Sequence, residues 1–149
     1  MQPGADKDRR LPVGLLPVKK RLDKITPRFK LWLESGETAS VFGDGKWKLL
    51  NEINKTGSLS AAAENLGISY RKAWGDVRKT EQALKVKLLD RHRGGKDGGR
   101  TRLTDEGKTW LREYGRFQRA VDKAVLRAYR DWLGRMRRAR DGAAGGGGA

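Results

Sequence analysis

The sequence predicts a mainly α-helical fold with small β elements, and three observations carry that expectation. Between Lys46 and Leu84, three stretches with helical spacing are separated only by Gly57-Ser58 and by Gly67-Ile68-Ser69. A basic, glycine-rich loop, residues 92–100, lies between two short strand-like runs. From Thr104 onward, apolar or small residues recur every three or four positions for about four heptads.

The elements follow in chain order. Phe29–Leu33 and Thr38–Phe42 read as a short hairpin around the turn Glu34-Ser35-Gly36-Glu37. Gly43-Asp44-Gly45 breaks it. Lys46–Thr56 reads as a helix with Leu49, Leu50 and Ile53 on one face, ended by Gly57. Ser58 or Ser60 can cap a second helix running through Leu66. Its Ala61-Ala62-Ala63 lets another backbone approach closely, and Gly67 suits a tight turn with positive φ. Ser69 caps a third helix that runs to about Leu84.

On that third helix Tyr70, Ala73, Val77, Thr80 and Leu84 share one face. Tyr70 reads as core, although stacking on a base is the other reading. Arg71, Gly75 and Arg78 share a second face, with Trp74 at the border. A glycine inside a helix costs about 1 kcal/mol relative to alanine. Gly75 therefore serves either close approach of a partner to the backbone or the packing of a neighbouring side chain.

Val86–Arg91 and Thr101–Leu103 read as strands flanking the glycine-rich tip. Thr104 caps the last helix, with Asp105 and Glu106 well placed in its first turn. Its stripe is Trp110, Tyr114, Phe117, Val121, Ala124, Ala128, Trp132 and Met136. A helix that outruns a small domain needs a partner to cover its stripe. Trp110, Tyr114, Phe117, Val121 and Ala124 are the expected dimer interface, although the first four could also pack onto the domain itself.

The chain has 149 residues, 34 Lys+Arg against 18 Asp+Glu, a formal charge of +16 and no cysteine. Zero cysteine excludes a disulfide scaffold and any thiolate zinc site. His92 is the one histidine, and the expectation is no metal, no cofactor and no catalytic set. Gly94–Gly99 superficially suggests a phosphate-cradling loop, but it lacks the Gly-Lys-Ser/Thr ending and the following helix. An enzyme is not expected. Arg9-Arg10 and the short run Leu11–Val18 do not make an export signal or a membrane span, which points to a cytoplasmic, nucleoid-associated location.

Charge is unevenly placed. Residues 1–28 carry eight basic and three acidic residues and all four prolines; they read as a disordered basic arm. Residues 29–57 are neutral, with four of each sign. Residues 58–103 carry eleven basic and five acidic residues, and residues 104–149 eleven and six. The expected organisation is the arm 1–28, a DNA-binding domain 29–103, a long helix 104–141 and a flexible tail 142–149 of glycine and alanine.

Two helices meeting at a tight turn, followed by a basic hairpin, make a winged helix-turn-helix in outline. Double-stranded DNA is the expected partner. The expected contacts are Ser69, Tyr70, Arg71, Lys72, Trp74, Gly75 and Arg78 from the third helix. Arg91, Arg93, Lys96, Arg100 and Arg102 add the wing. A non-specific nucleoid or RNA-binding protein is the alternative.

Gly57-Ser58-Leu59-Ser60-Ala61-Ala62-Ala63-Glu64-Asn65-Leu66-Gly67-Ile68-Ser69-Tyr70 resembles the LysR-type winged helix-turn-helix. Ser69-Tyr70-Arg71-Lys72-Ala73-Trp74 and Gly94-Gly95-Lys96-Asp97-Gly98-Gly99 narrow the resemblance to the DNA-binding domain of the molybdate-responsive ModE regulators. Phe42-Gly43-Asp44-Gly45 and Leu103-Thr104 also fit, so the resemblance covers about residues 29–120. It implies a dimeric transcription regulator. It places helix 69–84 in the major groove, the wing on the backbone or minor groove, and the long helix between two subunits. The sensor module of that family is not matched in these 149 residues, so the signal is expected from a separate effector-sensing protein.

Overall fold

The computed structural model describes residues 9–10, 24–92 and 100–145. They form two compact units. The first covers residues 30–117, and the second takes residues up to Phe29 and from Gln118 onward.

In the first unit, β3 (Trp32–Leu33) pairs antiparallel with β4 (Phe42–Gly43), Trp32 opposite Gly43. Ser35 Oγ accepts from the Thr38 N–H at 3.0 Å and fixes the intervening turn. Helix α1 (Asp44–Thr56) starts directly after β4 and ends at Gly57, whose φ of 68° lets its N–H reach Ile53 O. Ser58, rather than Ser60, caps α2 (Leu59–Asn65) by accepting from the Ala61 N–H. Gly67 takes the left-handed turn at φ 66°. Ser69 then caps α3 (Tyr70–Leu84) by accepting from the Lys72 N–H at 3.0 Å.

The wing is β5 (Leu89–His92) paired antiparallel with β6 (Arg100–Leu103). Three hydrogen bonds hold its base. The Glu81 carboxylate on α3 accepts from the Leu88 and Leu89 N–H groups, and the Thr101 N–H donates to Gly57 O at 2.9 Å. The expected wing residues Arg93 and Lys96 lie outside the described residues.

Leu49, Leu50, Ile53, Leu59, Ala62, Ala63, Ala73, Val77 and Leu88 fill the core around Phe42. Full burial of each large apolar side chain contributes roughly 1.5–3 kcal/mol. Thr80 stands in this apolar face and is buried too. Its hydroxyl reaches Asp76 O at 2.9 Å and Val41 O at 3.2 Å, so the polar group has partners inside the core.

Helix α4 (Asp105–Ala144) is the longest element, and Thr104 Oγ1 caps it by accepting from the Gly107 N–H. Its first turns belong to the first unit. Trp110 and Tyr114 pack on Phe42, with ring centroids 5.0 and 4.9 Å away. The Tyr114 hydroxyl donates to Leu31 O at 3.1 Å, and Trp47 Nε1 donates to Leu111 O at 2.8 Å. This corrects part of the expected dimer interface. Trp110 and Tyr114 close the core of their own domain, because Phe42 offers the nearest apolar surface. Phe117 and Ala124 are exposed and Val121 is half-buried.

The second unit carries two further departures. Residues 1–28 do not lack structure throughout, since β1 (Arg9–Arg10) pairs antiparallel with β2 (Arg28–Phe29). Residues 1–8 and 11–23 lie outside the described residues. Helix α4 also takes in Gly142, Ala143 and Ala144, which were expected in the flexible tail. Adding a residue to an existing helix is cheap once its nucleus has formed, and alanine is the best helix former. Within this unit Leu126, Tyr129 and Leu133 are buried, and the Tyr129 hydroxyl donates to Ile25 O. That row lies about 100° around the helix from the stripe Ala124, Ala128, Trp132 and Met136, which stays exposed.

Candidate nucleic-acid interface

Helix α3 divides along its length. Ala73, Val77 and Thr80 point inward and are buried. Arg71, Lys72 and Arg78 are exposed on the outer side. Tyr70 does not join the core as its helical spacing suggested; it is 54% exposed. It sits in the first turn of α3, directly after the Gly67 turn.

Lys72 Nζ is 2.7 Å from Asp76 Oδ2, an i,i+4 pair that holds the lysine along the helix. Ser69 supplies the cap and so fixes where this face begins. Gly75 lies between Arg71 and Arg78. A Cβ built on it meets nothing within 4 Å. Among the described residues, its two chain neighbours aside, no side chain packs into that space.

Trp74 links the helix to the wing. The Arg78 guanidinium lies 4.5 Å from its ring centroid and the Arg91 guanidinium 4.9 Å. Both are in cation–π range, so one indole carries a cation from each element. The sequence places Trp74 at the border of two faces but gives no hint of Arg91, because that contact depends on how the wing folds back.

The pleat of the wing separates its charges. Arg91 pairs with Thr101 and Leu89 with Leu103, and Leu89, Thr101 and Leu103 are buried. Asp90 and His92 pair with Arg102 and Arg100, and all four are exposed. Alternate residues point to opposite faces, so Arg91 and the pair Arg100 and Arg102 lie on different faces.

A cleft of about 550 Å³ opens along strand β6, Arg100 and Arg102 among its lining. The C-terminal turn of α1, strand β6 and Lys108 of α4 line it. Sequence reasoning missed Lys55 and Lys108 here, since they are distant along the chain and nothing local marks them. Hydrogen bonds from Asn65 and Lys55 hold the neighbouring Glu52 carboxyl below its ordinary range. A second cleft of about 290 Å³ includes Lys46. Burial lowers the pKa of Lys46, and Nζ donates to Val41 O at 3.0 Å.

Among the described residues no three His, Asp or Glu side chains come together as a metal site. No described helix is long and apolar enough to cross a membrane.

A tri-helical core, a helix-turn-helix and a two-stranded hairpin define a winged helix-turn-helix domain. Residues 45–108 match the family model described as bacterial regulatory helix-turn-helix protein, lysR family. The chain is 36% identical over 88 residues to the molybdenum-pterin-binding protein MopB of Rhodobacter capsulatus, covering 59% of this chain and 33% of that protein. It is 36% identical over 77 residues to the transcriptional regulator ModE of Haemophilus influenzae, covering 52% and 30%. The DNA-binding transcriptional dual regulator ModE of Escherichia coli K12 is 36% identical over 76 residues, covering 51% and 29%. The chain thus spans about a third of the length of these curated relatives. Among solved structures, the CbnR DNA-binding domain in complex with DNA aligns with 56% of this chain and 91% of its own at 24% identity and a TM-score of 0.47.

Proposed function

We propose that this protein is a DNA-binding transcription regulator that works as a winged helix-turn-helix homodimer. One observation carries the reading. The outer face of α3 presents Arg71 and Arg78 around an open glycine, and Trp74 ties that face to Arg91 of the wing. A glycine with nothing above it lets a rigid partner come down to the helix backbone. Arginine is the side chain best shaped for guanine edges and phosphate. In this reading α3 enters the major groove, with Tyr70, Arg71, Lys72, Trp74 and Arg78 along the contact, and Ser69 and Gly75 setting its start and depth. Arg91, Arg93, Lys96, Arg100 and Arg102 of the wing meet the backbone or minor groove.

Pairing of two copies falls to the exposed stripe of α4 from Phe117 and Val121 through Ala124, Ala128, Trp132 and Met136. Charged residues flank it, and a second copy of the same stripe is its natural cover. Residues 29–103 are then the DNA-reading part. The matched relatives named as regulators support gene control, with the signal supplied by a separate effector-sensing protein and no reaction catalysed by this chain.

Selection of bound sequences from random duplex DNA tests the reading. The expected result is an enriched palindrome whose half-sites lie about 10 base pairs apart or a multiple of that. Equal affinity for every duplex, or a preference for RNA, replaces it with the non-specific nucleoid or RNA-binding reading.

A further inference from the structure

We propose that the wing carries a second phosphate track on its outer face, built from Lys55, Arg100, Arg102 and Lys108. The proposal rests on the DNA-binding reading above and extends it to two lysines outside the expected interface. Arg91 is committed to the α3 side by its contact with Trp74. Arg100 and Arg102 stand on the other face of the same hairpin and line the 550 Å³ cleft with Lys55 and Lys108. Among the described residues, those four cations line the cleft and no carboxylate does. Asp90 shares the outer face but is not part of the lining, and its carboxylate lies 3.6 Å from His92 Nε2.

The end of α1 could have opposed an anion here, since helix C-terminal carbonyls are negative. Three carbonyls at that end already accept hydrogen bonds. Ile53 O accepts from the Gly57 N–H, Glu52 O from the Thr56 hydroxyl, and Gly57 O from the Thr101 N–H. Lys55 has one competitor, Glu52 at 3.2 Å, in an exposed pair that is worth little and yields readily to phosphate. Lys108 lies in the first turn of α4, where the helix dipole disfavours a cation. A locally unfavourable charge beside three others fits a site that waits for an anion.

A hairpin lying in a groove has one sugar-phosphate strand on each side. With Arg91 toward one strand and the cleft toward the other, the wing grips both walls. The occupant is the DNA backbone flanking the segment read by α3. The contact is blind to sequence, because it is made to phosphates alone.

The test compares the full chain with K55Q/K108Q and with the control K48Q/K85Q, whose exposed lysines lie away from the cleft. Affinity for one random-sequence duplex is titrated against salt, and thermal melting confirms that each variant folds. Loss of two phosphate contacts per protomer should lower the slope of log affinity against log salt by about 1.8 for each protomer bound. It should also weaken binding on the order of tenfold or more near 0.1 M salt. The control should keep the parent slope. A slope unchanged in K55Q/K108Q, or lowered equally in the control, overturns the outer track while leaving the DNA-binding reading intact. A parent chain that binds no duplex overturns that reading itself.

Discussion

Two glycines inside helices, Gly75 in α3 and Gly107 in α4, look alike in the sequence and stand in opposite surroundings. A Cβ on Gly107 would lie 2.2 Å from the carbonyl oxygen of Leu88 and 3.3 Å from Leu103 Cβ. A Cβ on Gly75 would touch nothing. The first glycine is explained wholly within the chain, as the point where α4 settles onto the base of the wing. The second costs about 1 kcal/mol of helix stability with no internal return. On the proposed DNA-binding reading, that open space is what lets the partner approach the helix backbone.

The largest effect should therefore fall at Gly107. Gly107→Ala forces backbone apart at Leu88, and urea unfolding should show a loss of about 3 kcal/mol or more. A small loss would mean that α4 shifts easily and that the contrast is shallow. Trp74→Ala comes next. It removes an indole packed against the core and frees Arg78 and Arg91, each held by a contact worth roughly 0.5–1 kcal/mol. Duplex affinity should fall about tenfold, and the melting temperature should fall too, by less than in Gly107→Ala. Gly75→Ala should separate stability from binding. Stability should rise by roughly 0.5–1 kcal/mol while DNA affinity falls; a variant that is more stable and binds equally well would remove the contrast. Thr80→Val should do least, within about 1 kcal/mol in calorimetry. Val41 O keeps its bond from Lys46 Nζ when the hydroxyl is gone.

Much of this was legible in the sequence where chemistry is local. Ser58 and Ser69 cap helices with their own hydroxyls, and Gly57 and Gly67 supply positive φ, so the helix ends follow from a few adjacent residues. Strand pairing of the wing followed from its glycine-rich tip. What the sequence hid are contacts that depend on distant partners. Gly107 is explained by Leu88, Trp74 by Arg91, and Tyr129 by a carbonyl 104 residues away. Spacing misplaced Tyr70, because a helical wheel specifies a face but not where the neighbouring element stops. It also passed over the row Leu126, Tyr129 and Leu133 of α4, which is buried beside the open stripe.

The indole between two guanidiniums bears on how the domain can be engineered. A recognition helix is often treated as an exchangeable cassette. Here, moving residues 69–84 into another scaffold would carry away Trp74 and Arg78 but leave Arg91 behind. The transferable module is the helix together with its hairpin, residues 69–103. Grafts that respect that boundary should keep the register between helix and hairpin.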